Sequence, residues 1–109
     1  MNIDWQALRD GKIAVLCRSA EECEAFLCEA INQQINVNHS WVEDPTSAAA
    51  NHWLRTESDP EDWHAVAYGF SQCRDLGFCW PAWWKNRGYS LVDFRDAQDF
   101  AISSIDDLV

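Results

Sequence analysis

The residues with the most chemistry to offer are three histidines and five cysteines. His64 follows Asp59, Glu61 and Asp62 closely, and a carboxylate–imidazole pair of that kind can bind a metal or move a proton. The competing reading is a solvated acidic turn beside a strand. It is favoured, because nothing nearby supplies a nucleophile or a further metal ligand. His39 and His52 fall in segments of weak pattern, and neither is given a role. Cysteine–histidine catalysis needs a thiolate in an electropositive, partly open setting. Cys17 ends an apolar run, Cys23 falls on the core face of a helix, and Cys28 stands beside Glu24 and Glu29. Cys79 lies among Phe78, Trp80 and Trp83. Only Cys73, next to Arg74, has a neighbour that would activate it. No CxxC is present, and the spacing of Cys73 and Cys79 is not that of a zinc site. The glycines are isolated, so no phosphate loop exists. The expectation is a protein that is no enzyme and carries neither metal nor cofactor.

Seven tryptophans are the second unusual feature. Trp is favoured both in cores and at recognition hot spots. Phe78-Cys79-Trp80-Pro81-Ala82-Trp83-Trp84 concentrates three of them. In a helix starting at Pro81, Trp83 and Trp84 point about 100° apart, so they cannot both face one core. One packs inward and the other lies at the surface, with Lys85 and Arg87 close by. Tryptophan and arginine together can also grip a nucleobase and its phosphate. Trp80, Trp83, Trp84, Arg74 and Arg87 therefore form an alternative ligand-binding set.

Charge narrows the partner. The formal net charge is -10, and from Ala20 to His64 ten acids meet one base, Arg55. Such a surface repels nucleic acid and anionic membranes and attracts basic proteins. Glu21, Glu22 and Glu29 on one helix, with Asp59, Glu61 and Asp62 in one turn, are the candidate anionic patch. Either they form a solvated face or they meet a basic partner. No apolar run approaches the roughly 20 residues that span a bilayer. Met1-Asn2-Ile3-Asp4-Trp5 lacks the features of a signal peptide. Five irregularly spaced cysteines do not read as a secreted disulfide framework. Together these predict a cytoplasmic protein with no membrane contact and no direct nucleic-acid contact.

One core suits 109 residues, so 1–109 is read as a single domain. Ile3 to Arg9 makes a short helix stopped by Gly11. Lys12 to Cys17 is a buried strand. Ser19 and Glu22 form a capping box for a helix from Ala20 to about Gln34. That helix puts Cys23, Leu27, Ala30 and Ile31 on one face and Glu22 and Glu29 opposite. Ile35 to Asn38 with Trp41-Val42 suggests a short strand. Pro45 to Arg55 is a helical turn or a loop, its alanines favouring helix. Ser58 to Asp62 is a turn. His64 to Phe70 and Leu76 to Trp80 read as paired strands joined by Ser71 to Asp75. Pro81 opens a helix ended by Gly88, and Tyr89 to Phe94 is the last strand. Residues 95–109 are either a docked helix or a frayed acidic tail. The order β-α-β-β-α-β predicts an α+β fold, a small, mainly antiparallel sheet with one amphipathic helix packed on a face.

Two of these stretches resemble known sequences. KIAVLCRSAEECEAFLCEA (12–30) resembles the opening of small phage and prophage proteins of Firmicutes, a strand ending in Cys followed by a capped, glutamate-led helix. FCWPAWWKNRGYSLVDF (78–94) resembles their closing pattern, in which a Gly-Tyr pair leads the last strand. Together the two cover about a third of the chain. The resemblance implies origin on a mobile element and supplies no catalytic residues. Small acidic phage proteins often inhibit host machinery, including CRISPR effectors, by offering carboxylates where a groove expects phosphates. The leading expectation is thus an anti-CRISPR-like inhibitor of a basic, nucleic-acid-handling defence protein. Glu21, Glu22, Glu29, Asp59, Glu61 and Asp62 supply its charge, and Trp83 or Trp84 anchors it. The alternative is a sponge for a nucleotide immune signal.

Overall fold

The run Ile13-Ala14-Val15-Leu16-Cys17 is apolar at every position because the strand it forms is covered on both faces. In a computed structural model, which describes residues 3–58, 63–71 and 75–95, this strand is β1 (Ile13–Cys17). It lies between β2 (Val66–Gly69) and β4 (Ser90–Asp93), and β3 (Gly77–Cys79) extends the sheet beyond β2, in the order β3-β2-β1-β4. β2 runs antiparallel to β1, with Tyr68 opposite Val15, and antiparallel to β3, with Tyr68 opposite Phe78. β4 runs parallel to β1, with Val92 opposite Val15. The fold is α+β with a mixed four-stranded sheet. The expected strand pair at 64–80 is present, but the last strand departs from an antiparallel reading. A parallel neighbour needs a long crossover, and all the chain between β1 and β4 provides it.

Among the described residues five helices accompany the sheet: α1 (Trp5–Arg9), α2 (Ala20–Asn32), α3 (His39–Glu43), α4 (Pro45–Ser58) and α5 (Pro81–Lys85). The expectation of one helix on one face is too small. α2 and α4 lie together over one face, where Phe26, Leu27, Ala48 and Ala49 meet Val15, Val66 and Tyr68. α5 covers the other face, where Trp84 sits on Ala14 and Ala67. No described helix is long and apolar enough to cross a membrane.

Helix ends follow the caps the chain carries. Asp4 accepts the Ala7 N–H at 3.0 Å and starts α1. Ser19 accepts the Glu22 N–H at 3.1 Å, and Glu22 reaches back to the Arg18 N–H at 3.0 Å. This is a capping box with its return bond shifted one residue outward. α2 ends where Gln34 turns left-handed (φ 60°), letting the Ile35 N–H reach the Ala30 carbonyl. Arg9 donates to the Gln33 carbonyl at 2.7 Å, placing a cation at the helix's negative end.

The region after α2 differs most from expectation. Residues 35–42 contain no strand, and His39–Glu43 is helical. The reason is local chemistry: Asn38 accepts the Ser40 N–H at 3.0 Å, a cap that outweighs the strand propensity of Trp41-Val42. Asp44 then accepts the Ser47 N–H at 3.1 Å and caps α4. Pro45 stands at the first position, where its missing N–H costs nothing. Asp59–Asp62, the middle of the β2–β3 connection (72–74) and the acidic tail (96–109) lie outside the described residues.

Candidate functional site

The acidic side chains of α2 do not all face outward. Glu21 is exposed at the crest of the helix. Glu22 is only 18% exposed, because besides capping α2 it takes the guanidinium of Arg95 at 2.8 Å. Its charge is spent inside the fold, which removes it from a free patch. Glu29 lies on the shoulder of the helix, half-buried, and accepts from the Gln33 amide at 3.3 Å. Glu24 occupies the opposite shoulder. Asp59, Glu61 and Asp62 lie outside the described residues, as do Arg74 and Cys73.

Four arginines, though exposed, bind the protein's own groups. Arg18 pairs with Asp93 at 2.6 Å, Arg95 with Glu22, and Arg9 binds a backbone carbonyl. Arg87 lies flat over the Trp83 ring, 3.7 Å from its centre, and donates to the Trp83 carbonyl at 3.1 Å. These contacts spend positive charge on the protein's own groups and leave outward carboxylates to set the surface field.

The two adjacent tryptophans divide as the helical spacing requires. Trp84 is 2% exposed, and its indole N–H donates to the Ala67 carbonyl at 3.0 Å. It is a core residue, so it cannot anchor a partner. Trp83 is half-buried at the surface, edge-on to Trp84 at 4.8 Å. Trp80 leans the other way, against Trp63 at 5.8 Å on the α2–α4 side of the sheet. The structure therefore does not bring Trp80 together with Trp83 and Arg87 in one pocket.

A different cluster, without a role in the sequence reading, is the most built of the described sites. α4 carries Ala48, Ala49 and His52 on its buried face, which turns the imidazole of His52 into the core at 4% exposure. Phe78 stacks on it at 3.9 Å and Trp41 meets it edge-on at 4.3 Å. His52 Nδ1 lies 2.7 Å from the Tyr68 hydroxyl. Burial pushes the imidazole down to a pKa of about 4, so it is neutral at physiological pH. The Cys23 thiol is lowered from its ordinary value, first by Cys17 and also by Tyr68, while its own burial acts the other way. Burial raises both the Tyr68 hydroxyl and the Cys17 thiol well above their ordinary values. The result is a buried His52–Tyr68 pair within an apolar core, with His52 lining a cleft of about 420 Å³. The available signal was the spacing of Ala48, Ala49 and His52, which only a helix over this segment would reveal.

Cys17 and Cys23 are buried, Cys28 is exposed and Cys79 is half-buried, and none of these four is in a disulfide. Among the described residues no group of three His, Cys, Asp or Glu side chains is arranged to hold a metal ion. Compared with known proteins, the chain matches no family model, no curated protein and no solved structure.

Proposed function

We propose that this is a non-enzymatic, phage-derived binding protein that acts in the cytoplasm of a host bacterium. Its partner is a basic, nucleic-acid-handling defence protein of the CRISPR-effector kind, inhibited by occupation of its electropositive groove. The observation that carries this reading is the disposition of charge. With a net -10, the chain turns Arg9, Arg18, Arg87 and Arg95 onto its own groups while Glu21 stands clear on α2. An anionic surface of this kind speeds encounter with a cationic groove and resists binding to nucleic acid itself. Trp83 is the apolar anchor, since Trp84 is withdrawn into the core. Asp59, Glu61 and Asp62 add to the charge.

The reading is tested by retention of host-lysate proteins on the immobilised chain. Wild type retains a basic nucleic-acid-binding protein at low salt and releases it at high salt. Glu21→Gln/Glu24→Gln/Glu29→Gln weakens retention about tenfold, because exposed charges act mainly on association. Retention that is indifferent to both salt and the triple change contradicts the proposal.

A further inference from the structure

We propose that the cleft between α3, α4 and β3 is a binding site for an uncharged, planar heteroaromatic molecule of the nucleobase type, held by His52, Asn51 and the rings of Trp41 and Phe78. The cleft lies within the range of small-molecule sites, about 300–1,000 Å³. Its volume is about 420 Å³, and Trp41, Phe78 and His52 line it. These rings give a flat ligand surfaces on which to stack or pack edge-on.

Polar groups fix the orientation. His52 is 96% withdrawn from solvent (4% exposed) and borders the cleft. Nδ1 is occupied by Tyr68, while Nε2 has no hydrogen-bond partner among the described residues. The Tyr68 hydroxyl can donate to Nδ1 or accept from it, according to the tautomer of the imidazole. The other ring nitrogen, Nε2, is left to donate to a ligand or accept from it. Asn51, exposed at the rim, offers both a donor and an acceptor. A ligand edge carrying an acceptor beside a donor matches this set, and nucleobases have such edges.

Electrostatics excludes the phosphorylated forms. Asp44 borders the cleft, and the Ser47 N–H and hydroxyl hold its carboxyl below the usual range, so it stays anionic. Together with the net charge of -10 it repels a phosphate. The site therefore selects a free base or a nucleoside over a nucleotide. This inference is independent of the inhibitor reading, because the cleft uses none of the residues assigned to the basic partner.

The full chain is titrated with adenine, adenosine and adenosine monophosphate by calorimetry, and with side-chain nitrogen labels at His and Trp by NMR. Adenine and adenosine bind saturably and shift the His52 ring and Trp41 indole signals, and the monophosphate binds at least tenfold more weakly. His52→Phe keeps the ring packing and loses at least tenfold in affinity. Asn51→Ala, a surface change that leaves folding intact, weakens binding several-fold and decides the matter if His52→Phe fails to fold. No binding of either uncharged probe at millimolar concentration overturns the proposal. So does equal or tighter binding of the monophosphate, or binding indifferent to Asn51→Ala and to His52→Phe where that variant folds.

Discussion

Trp84→Ala is expected to cost roughly 3–5 kcal/mol, the range for deleting a fully buried aromatic side chain, enough to unfold a domain of ordinary stability. The indole is the main filling of the second sheet face. Its floor is made of small residues, Ala14, Ala67 and Gly69, and a methyl added at Gly69 would sit 3.1 Å from the ring. Small floor and large ring are matched, so no neighbour can expand into the cavity. The truncation also strips the Ala67 carbonyl of the indole N–H that satisfies it at 3.0 Å. Trp83→Ala removes a half-buried ring and leaves that floor in place, so it costs about 1 kcal/mol, typical of a point change. Urea unfolding of the two variants separates them. Equal losses would mean that Trp84 is not the residue holding α5 to the sheet.

Acidification from pH 6.5 to pH 4 lowers stability by roughly 3 kcal/mol through His52 alone, since each unit of pKa shift is worth about 1.4 kcal/mol. In the unfolded chain the imidazole takes a proton near its ordinary value of 6.5, whereas burial holds it neutral in the fold down to about 4. Within that window the unfolded state binds the extra proton, so stability falls as pH falls. Above pH 6.5 both states are neutral and the contribution is flat. The titratable group in contact with the imidazole is the Tyr68 hydroxyl, protonated throughout this range. Unfolding midpoints in urea, measured at intervals between pH 4 and 7.5, display the slope. In His52→Phe the part of the slope due to this residue disappears. An unchanged profile in that variant would assign the acid sensitivity to carboxylates instead.

The parts of the fold that were legible in the sequence are those fixed by neighbours along the chain. Ser19 and Glu22 announce α2, Pro81 and Gly88 bracket α5, and the apolar runs His64 to Phe70 and Leu76 to Trp80 hold the paired strands β2 and β3. β1 was readable because burial on both faces leaves no polar position in it. α4 was harder, since its buried face holds only Ala48, Ala49 and His52, with no stripe of large residues. Small residues there allow close approach to α2, which is a tertiary fact. α3 was misread because Trp and Val favour strands, while the decisive group is the side chain of Asn38. The parallel placement of β4 depends on a pairing across the whole chain, and no local signal encodes it.

The same division holds for the sites. That Trp83 and Trp84 face different ways follows from helical geometry, but which one is buried depends on the small residues of β1 and β2. That the acids of α2 lie off its core face was readable from the turn of the helix, although Glu22 and Glu29, expected opposite the core, are half-buried and Glu21 is exposed. The loss of Glu22 to Arg95 was not, because the two lie 73 residues apart. The His52 cleft needs α3, α4 and β3 in contact, and only the assembled fold provides that.

The central claim is that this chain takes the place of nucleic acid on a basic partner, and competition measures it most directly. The captured partner is loaded with a labelled DNA duplex and then titrated with the purified chain. The account predicts displacement of the duplex, with no species containing all three components, and a displacing power that falls as salt rises. A stable ternary complex, with the duplex still bound at saturating protein, would contradict it.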